Sequence, residues 1–305
     1  MNVLVGGVGV RLETQDEPLH VAWRQLFAGW PQTAVSTPAI TFNLQLVERL
    51  TSSPTDTLLY TDVGVRPAGD EILSVFRDGA ASIQLHFFDG GLVCVPLAKA
   101  GLVSGQVTRE ALGNGRFEDI IFTSLAPMLR RRGIFAVHAF AAVRTETAVL
   151  LVGPSHSGKT TTGLNLLLNG WQLLANDVVL LQATDDGVFA LPTPGEISIR
   201  PPTYTLLPKL KRNQSFDWGQ ASQVKTILFP KIKGEVNGKT AVLPLPRAIA
   251  LAQLMGESVD RWDEEMLNHH TAMLHQLTSQ CNTFQLLLDQ DINNISDIIA
   301  DTLRL

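Results

Sequence analysis

Cysteine is scarce in this chain: Cys94 and Cys281 are the only two among 305 residues. They lie far apart in apolar stretches, which is typical of inert buried thiols, so neither a disulfide scaffold nor a zinc site is indicated. Long hydrophobic runs are also missing, because no stretch approaches the roughly 20 apolar residues that a membrane span needs. The amino terminus lacks a basic start and reaches Arg11 before a signal-peptide core is complete. We therefore expect a cytoplasmic protein that contacts no membrane.

An excess of positive charge is missing as well. Lysine and arginine number 24 against 29 aspartate and glutamate residues, for a net charge of -5. This balance argues against a general nucleic-acid coat. Hydrophobic residues make up 45% and charged residues 17% of the chain, near the values of globular proteins. At this length the chain can form two domains that each bury a core.

The first part of the chain reads as β-rich. Asp78-Gly79 and Asp89-Gly90 separate three strand-like runs, and Asp-Gly pairs of this kind are typical of the turns of β-hairpins. Between Phe117 and Arg132, apolar residues recur at helical spacing and Gly133 follows as a stop. We predict a β-rich domain over residues 1–116 and a linking helix over 117–132.

From Gly133 onward, short apolar runs alternate with helical ones, which predicts a phosphate-binding α/β core over residues 133–305. Strands are expected at Ile134 to Val143, Ala148 to Val152, Leu173 to Leu174, Val178 to Leu181 and Ala248 to Leu254. Helices are expected at Gly158 to Asn169, Asp260 to Leu277 and Asp291 to Leu303. The basic stretch from Lys209 to Lys239 attracts an acidic partner or is a solvated mobile loop.

A Walker A pattern follows the predicted strand that ends at Val152 and opens a predicted helix. Glycines in such a loop let the backbone wrap the phosphates of a nucleotide, and the helix amino end adds positive charge. Lys159 is expected to bridge the terminal phosphates, and the Thr160 hydroxyl to ligate Mg²⁺. The residues expected to bind the nucleotide are Gly153, Pro154, Ser155, His156, Ser157, Gly158, Lys159, Thr160 and Thr161.

A P-loop does not name a reaction, so other residues must decide. The sequence has neither the Asn-Lys-x-Asp motif that reads guanine nor the Leu-Ser-Gly-Gly-Gln transporter signature. It does have Asp177, at the end of a short predicted strand. This carboxylate could hold Mg²⁺ or take a proton from an attacking hydroxyl. Alternatively, Asn176 and Asp177 form an ordinary turn between two strands.

Three segments together resemble the HPr kinase/phosphorylases and their shorter relatives: Val137-His138-Ala139, the P-loop, and Ala175-Asn176-Asp177. The spacings between them agree with the family pattern without a gap. The resemblance covers Phe135 to Ile199 and, less closely, Lys225 to Gln253. It implies an α/β fold with a P-loop core of the PEP-carboxykinase/HPr-kinase-like type, here preceded by a smaller β-rich domain.

The resemblance also implies roles for single residues. Asp177 falls on the family's general base and a metal ligand, and His138 falls on a histidine placed beside the phosphates. Arg247 resembles an arginine that stabilises transferred charge. Glu196 is a candidate metal ligand and Arg200 a candidate phosphate contact. The chain departs from the family pattern at Asn176, which replaces an aspartate, and at Thr161, which stands where glutamate is common, so reversal of the reaction is not expected.

These patterns predict an ATP- and Mg²⁺-dependent kinase that acts on a Ser or Thr hydroxyl of a small protein or peptide. The resemblance points to the short relatives found beside peptide natural-product or SynChlorMet-type cassettes, and to a homo-oligomer. Two alternatives stay open: a catalytically reduced, nucleotide-dependent peptide-binding module, and a kinase of a small metabolite.

Overall fold

The fold is given by a computed structural model. It describes residues 1–34, 37–51, 53–54, 57–63, 71–88, 90–113, 115–195, 197, 199–212, 214–233, 239–258, 262–289 and 294–303. The chain forms two compact units, of which the first contains Met1–Gly133 with Asp260–Met266 and the second contains Ile134–Val259 with Leu267–Leu305. Both units combine helices with a large sheet, so the fold is mixed α/β. The domain boundaries inferred from the sequence stay predictions.

The first unit is built mainly from strands. Its elements are β1 (Asn2–Val5), β2 (Val8–Glu13), α1 (Glu17–Leu26), β3 (Ile40–Val47), β4 (Leu58–Val63), β5 (Glu71–Asp78), β6 (Ser82–Phe87), β7 (Gly91–Pro96), β8 (Gly101–Thr108), a short 3₁₀ helix (Glu110–Leu112) and α2 (Arg116–Arg130). The strand order is β1-β2-β3-β8-β7-β6-β5-β4. Apolar residues alternate with polar ones along β2 and β6, because one face of the sheet is buried. Helix α1 places Trp23 in an aromatic cluster with Phe27 and Phe42.

An ion network closes the carboxyl end of α2. The carboxylate of Asp263 accepts hydrogen bonds from Arg130 and Arg131, each with a closest distance of 3.0 Å. The side chains of Arg130 and Asp263 are only 3% and 2% exposed. The Arg130 guanidinium also lies 5.3 Å from the ring centroid of Trp262. Buried charges of this kind are stable only when they are paired, so the segment 262–263 is bound to α2.

The second unit carries the P-loop sequence. Its elements are β9 (Ile134–Arg144), β10 (Thr147–Val152), α3 (Lys159–Leu168), β11 (Gln172–Ala175), β12 (Val178–Thr184), β13 (Gly187–Leu191), α4 (Pro201–Leu206), β14 (Ser222–Ile232), β15 (Ala241–Pro244), α5 (Arg247–Gly256), α6 (Glu264–Gln280), β16 (Asn282–Leu288) and α7 (Ile295–Leu303). Helix α6 begins with Glu264–Met266, which belong to the first unit. Within the described residues, no helix combines the length and the apolar character that crossing a membrane requires.

The sheet of the second unit has the order β10-β9-β12-β13-β14-β16-β15, and β10 also pairs with β14. Strands β10 and β14 are parallel, as are β14 and β16. The carboxyl ends of these three strands therefore lie at the same edge of the sheet. In open α/β sheets this edge is the usual place for a ligand.

Strands β11 and β12 behave as one strand with a bend. From Ala175 onward the two strands keep one register along β9, since Ala175 pairs with Ala141 and Val178 pairs with His138. The chain bends between them at Asn176 and Asp177. The amide of Ala139 still donates to the Asp177 carbonyl across the bend, at 3.1 Å. Asp177 is therefore held beside the middle of β9.

Helix α3 packs closely on β9 through Gly163. A Cβ added to Gly163 would lie 2.5 Å from two carbons of the Phe140 ring, which is itself fully buried. In a solvent-exposed helix, a change from glycine to alanine stabilises the fold by about 1 kcal/mol. Here we expect destabilisation by about 1–3 kcal/mol, because the ring cannot move without disturbing the core.

Thermal unfolding measures this effect of Gly163→Ala. The double variant Gly163→Ala with Phe140→Leu is the control, since it removes the ring that the new methyl group meets. It should recover part of the loss caused by the single change. A single variant that melts above the wild type would contradict the packing described for α3.

Most elements near the P-loop agree with the sequence predictions to within a few residues. The prediction of a strand from Ala248 to Leu254 was wrong, because these residues belong to α5. Pro246 precedes the helix, and alanine, leucine, glutamine and methionine favour helix, so composition outweighed the short apolar alternation. The basic stretch from Lys209 to Lys239 contains the strand β14 rather than one long loop.

Both cysteines are free thiols. Burial raises the pKa of Cys281 to about 12. Burial likewise raises the pKa of Cys94 to about 12, aided by its hydrogen bond to the Asp78 carboxylate. The expected inertness of these thiols has a physical basis, since the reactive thiolate is scarce at neutral pH.

Candidate functional site

The P-loop segment leaves the carboxyl end of β10 and opens α3. Gly153 and Gly158 have φ values of 152° and 103°, which residues with a side chain rarely adopt. Within the loop, the Ser157 amide donates to the Pro154 carbonyl at 3.2 Å. The amino end of α3 thus begins directly after a tight backbone turn. Unpaired amides and the helix dipole make such an end attractive to anions.

The ammonium of Lys159 lies inside this turn. It donates to the carbonyls of Gly153 and Pro154, the latter at 3.1 Å, and contacts His138 Nε2 at 3.0 Å. The residue is 7% exposed. Burial lowers the pKa of Lys159, while the nearby carboxylates of Glu257 and Asp177 oppose that shift. A cation with so little exposure to water interacts strongly with a phosphate that binds beside it.

His138 connects Lys159 with Asp177. Its Nδ1 lies 3.4 Å from Asp177 Oδ1, and its backbone amide donates to the Glu257 carbonyl at 3.0 Å. A protonated Lys159 can only donate, so the imidazole accepts at Nε2 and carries its proton on Nδ1, facing the carboxylate. The Asp177 side chain is 69% exposed. It is therefore open to an incoming hydroxyl group.

His156 and Arg200 meet at the outer side of the loop. His156 has a φ of 68°, a conformation that is uncommon for residues other than glycine. The Arg200 NH1 atom lies 3.0 Å from His156 Nδ1 and 3.1 Å from Nε2. This contact places a guanidinium group against the P-loop, where it adds positive charge.

A pocket of about 490 Å³ opens beside the loop. One wall is the P-loop itself, from Gly153 to Ser157. The other wall comes from the end of β14, from β16 and from the last turns of α5, and consists of Pro230, Lys231, Ile232, Gln253, Glu257 and Gln285. The parallel strands β10, β14 and β16 bring these distant segments together at one sheet edge. The pocket lies at the sheet edge that favours ligands.

The predicted P-loop residues lie together, whereas other predicted residues do not. Thr160 and Thr161 are half-buried in the first turn of α3, and the Thr161 hydroxyl lies 3.4 Å from that of Thr203. Arg247 is exposed at the first residue of α5 and does not line the pocket. The ten residues of α5 separate it by about 15 Å from the end that carries Glu257. Glu196 lies outside the described residues.

The residues present fit a nucleotide. The Ser157 hydroxyl is buried and has no hydrogen-bond partner among the described residues. A buried hydroxyl without a partner, next to the backbone amides of this turn, can donate a hydrogen bond to a phosphate oxygen. Among the described residues, no three histidine, cysteine, aspartate or glutamate side chains gather to hold a metal ion on their own. Mg²⁺ usually binds through one or two protein groups together with substrate phosphates, and Thr160 and Asp177 offer donors of that type.

The second wall of the pocket was missed by the sequence prediction. Its residues come from three stretches that are far apart in the chain, and none carries a motif. A weak signal was present at Glu257, an acidic residue just after a helix, where the dipole disfavours it.

Of three comparisons with known proteins, only the one with solved structures finds matches. No protein-family model matches the chain, and no curated protein matches it either. Among solved structures, the HPr(Ser) kinase/phosphatase from Coxiella burnetii aligns over 55% of this chain and 93% of its own, with 16% identity and a TM-score of 0.29. A score at this level does not assign a fold or a function, so the function is argued below from the site.

Proposed function

We propose that this protein is an ATP-dependent kinase that transfers a phosphoryl group to a Ser or Thr hydroxyl of a small protein or peptide. The observation that supports this most is the line of contacts from Lys159 through His138 to Asp177. It joins a buried cation at the P-loop, an imidazole and an exposed carboxylate. Phosphoryl transfer needs charge neutralisation and a proton acceptor close together, and these residues supply both.

Each group has a separate task in the proposed reaction. The P-loop amides and Lys159 hold the nucleotide's phosphates and neutralise their charge. Arg200, held against His156, adds a cation on the outer side. His138 keeps its Nδ1 proton toward Asp177 and so orients the carboxylate. Asp177 accepts the proton of the acceptor hydroxyl as the new bond to phosphorus forms.

Mg²⁺, when bound with the nucleotide, supplies further positive charge to the phosphates, and Thr160 and Asp177 are the residues that would hold it. Arg247 has no role in this proposal, because it lies at the far end of α5. The helix dipole of α3 acts in the same direction as the metal, since its amino end faces the P-loop turn.

Phosphate incorporation tests the proposal directly. The full-length protein is incubated with γ-labelled ATP, Mg²⁺ and either a library of serine- and threonine-containing peptides or a panel of hydroxyl-bearing small molecules, and products are identified by mass spectrometry. We expect labelled peptide and an equal amount of ADP. ATP binding without label in any peptide or small-molecule acceptor would instead support a nucleotide-dependent binding module. Label confined to a small molecule would identify a metabolite kinase.

A further inference from the structure

The pocket beside the P-loop lies between two helix ends of opposite polarity. Its first wall precedes the amino end of α3, and its second wall includes Gln253 and Glu257 at the carboxyl end of α5. A helix carries about half a positive charge at its amino end and half a negative charge at its carboxyl end. The pocket is therefore suited to a ligand that brings negative charge to one side and positive charge to the other.

Glu257 is the acidic residue on the negative side. It is the residue that caps α5, and its amide donates to the Leu254 carbonyl at 3.1 Å. An acidic residue here is unfavourable, because its charge adds to the negative end of the dipole. Within the described part of the chain, no salt bridge joins its half-buried carboxylate to another side chain, although its charge acts on the buried ammonium of Lys159. Departures of this kind from local preference concentrate at functional sites.

Glu257 lines the pocket, and its backbone is held beside β9. Its carbonyl accepts the His138 amide at 3.0 Å, which ties the end of α5 to β9. Gln253, one helical turn earlier, lies on the same face and also lines the pocket. The amide of Gln285 donates to the Phe229 carbonyl, so its side-chain oxygen stays available. The second wall thus presents acceptor atoms, with the exposed Lys231 as its cation.

We propose that this wall is the acceptor subsite and that Glu257 binds a protonated amine or guanidinium next to the hydroxyl that receives the phosphoryl group. The inference rests on the proposed kinase function. A lysine or arginine beside the serine of a peptide would bring this charge, and so would a small amino alcohol. In both cases the cation lies on the α5 side while the nucleotide's phosphates lie on the α3 side.

Binding of matched peptides tests the subsite without requiring transfer. The full-length protein, saturated with Mg²⁺ and a non-hydrolysable ATP analogue, is titrated calorimetrically with the capped tetrapeptides Gly-Ser-Lys-Gly and Gly-Ser-Gln-Gly. Ethanolamine and ethylene glycol form the small-molecule pair. We expect the charged member of at least one pair to bind about tenfold more tightly, the strength of a charge-assisted hydrogen bond. The pair that shows the preference identifies the source of the cation.

The variant Glu257→Gln keeps the shape of the side chain and removes its charge. It should reduce the preference to less than about twofold, whereas Glu264→Gln, an exposed residue at the start of α6, should leave it intact. Equal binding of charged and neutral probes to the wild type would overturn the proposal. So would a preference that survives Glu257→Gln, or a variant that changes only the Mg²⁺ dependence of nucleotide binding. Absence of phosphate transfer with the binding preference present would refute the kinase reaction alone.

Discussion

Lys159→Ala is expected to weaken ATP binding by on the order of a hundredfold or more. Removing one partner of a buried, hydrogen-bonded charge pair costs about 2–5 kcal/mol, and each 1.4 kcal/mol is a factor of ten in affinity. The ammonium of Lys159 is nearly dry and lies against the P-loop carbonyls. Isothermal titration calorimetry with ATP measures the loss. Transfer activity should fall with it, because the nucleotide is no longer held.

Lys225→Ala provides a matched control for this result. Lys225 is an exposed lysine on β14 that does not line the pocket, so its removal should leave ATP affinity nearly unchanged. Thermal unfolding of both variants separates loss of binding from loss of fold. If folded Lys159→Ala binds ATP as tightly as the wild type, the segment from Gly153 to Thr160 is not the nucleotide site.

Asp177→Asn is expected to slow phosphoryl transfer by about 10²–10⁴-fold, the usual contribution of a general base. The amide keeps the size of the carboxylate but cannot accept the proton. ATP affinity measured without Mg²⁺ should stay within about fivefold, because exposed charges contribute at most about 1 kcal/mol. Single-turnover phosphate transfer and calorimetry on the same preparation measure the two quantities. Lost transfer with retained binding is the pattern expected of a base.

Asp185→Asn is the control for Asp177, since Asp185 is an exposed aspartate in the turn after β12. It should transfer phosphate at the wild-type rate. Full activity of Asp177→Asn would remove this residue from the chemistry. Equal losses of Mg²⁺-free ATP binding and of transfer would show that Asp177 serves the nucleotide itself rather than the hydroxyl proton.

The sequence predicted the part of the site that is local in the chain. The strand before Gly153, the helix after Lys159 and the short strands around Asp177 all follow from apolar spacing and glycine placement. His138 could be placed near this region only through family resemblance, because a single histidine in a strand carries no signal of its own. Its contacts with Lys159 and Asp177 arise from the register of β9.

The second wall of the pocket was beyond the reach of these patterns. It depends on the parallel pairing of β10, β14 and β16, which brings together residues that are more than fifty positions apart. The assignment of a strand where α5 lies also hid the signal at Glu257, because an acidic residue is unfavourable there only if a helix ends at that point. The site prediction was therefore limited by the long-range pairing of strands and by the mistaken assignment of α5 as a strand.

The ion network at Asp263 bears on how this protein can be divided. The first compact unit is not one continuous stretch, because Asp260–Met266 belong to it after more than a hundred residues of the second. A fragment that stopped at Gly133 would carry the guanidinium groups of Arg130 and Arg131 without the carboxylate that neutralises them. Separate expression of the first unit would thus call for joining 260–266 back to it, by a short linker or by supplying that peptide in trans.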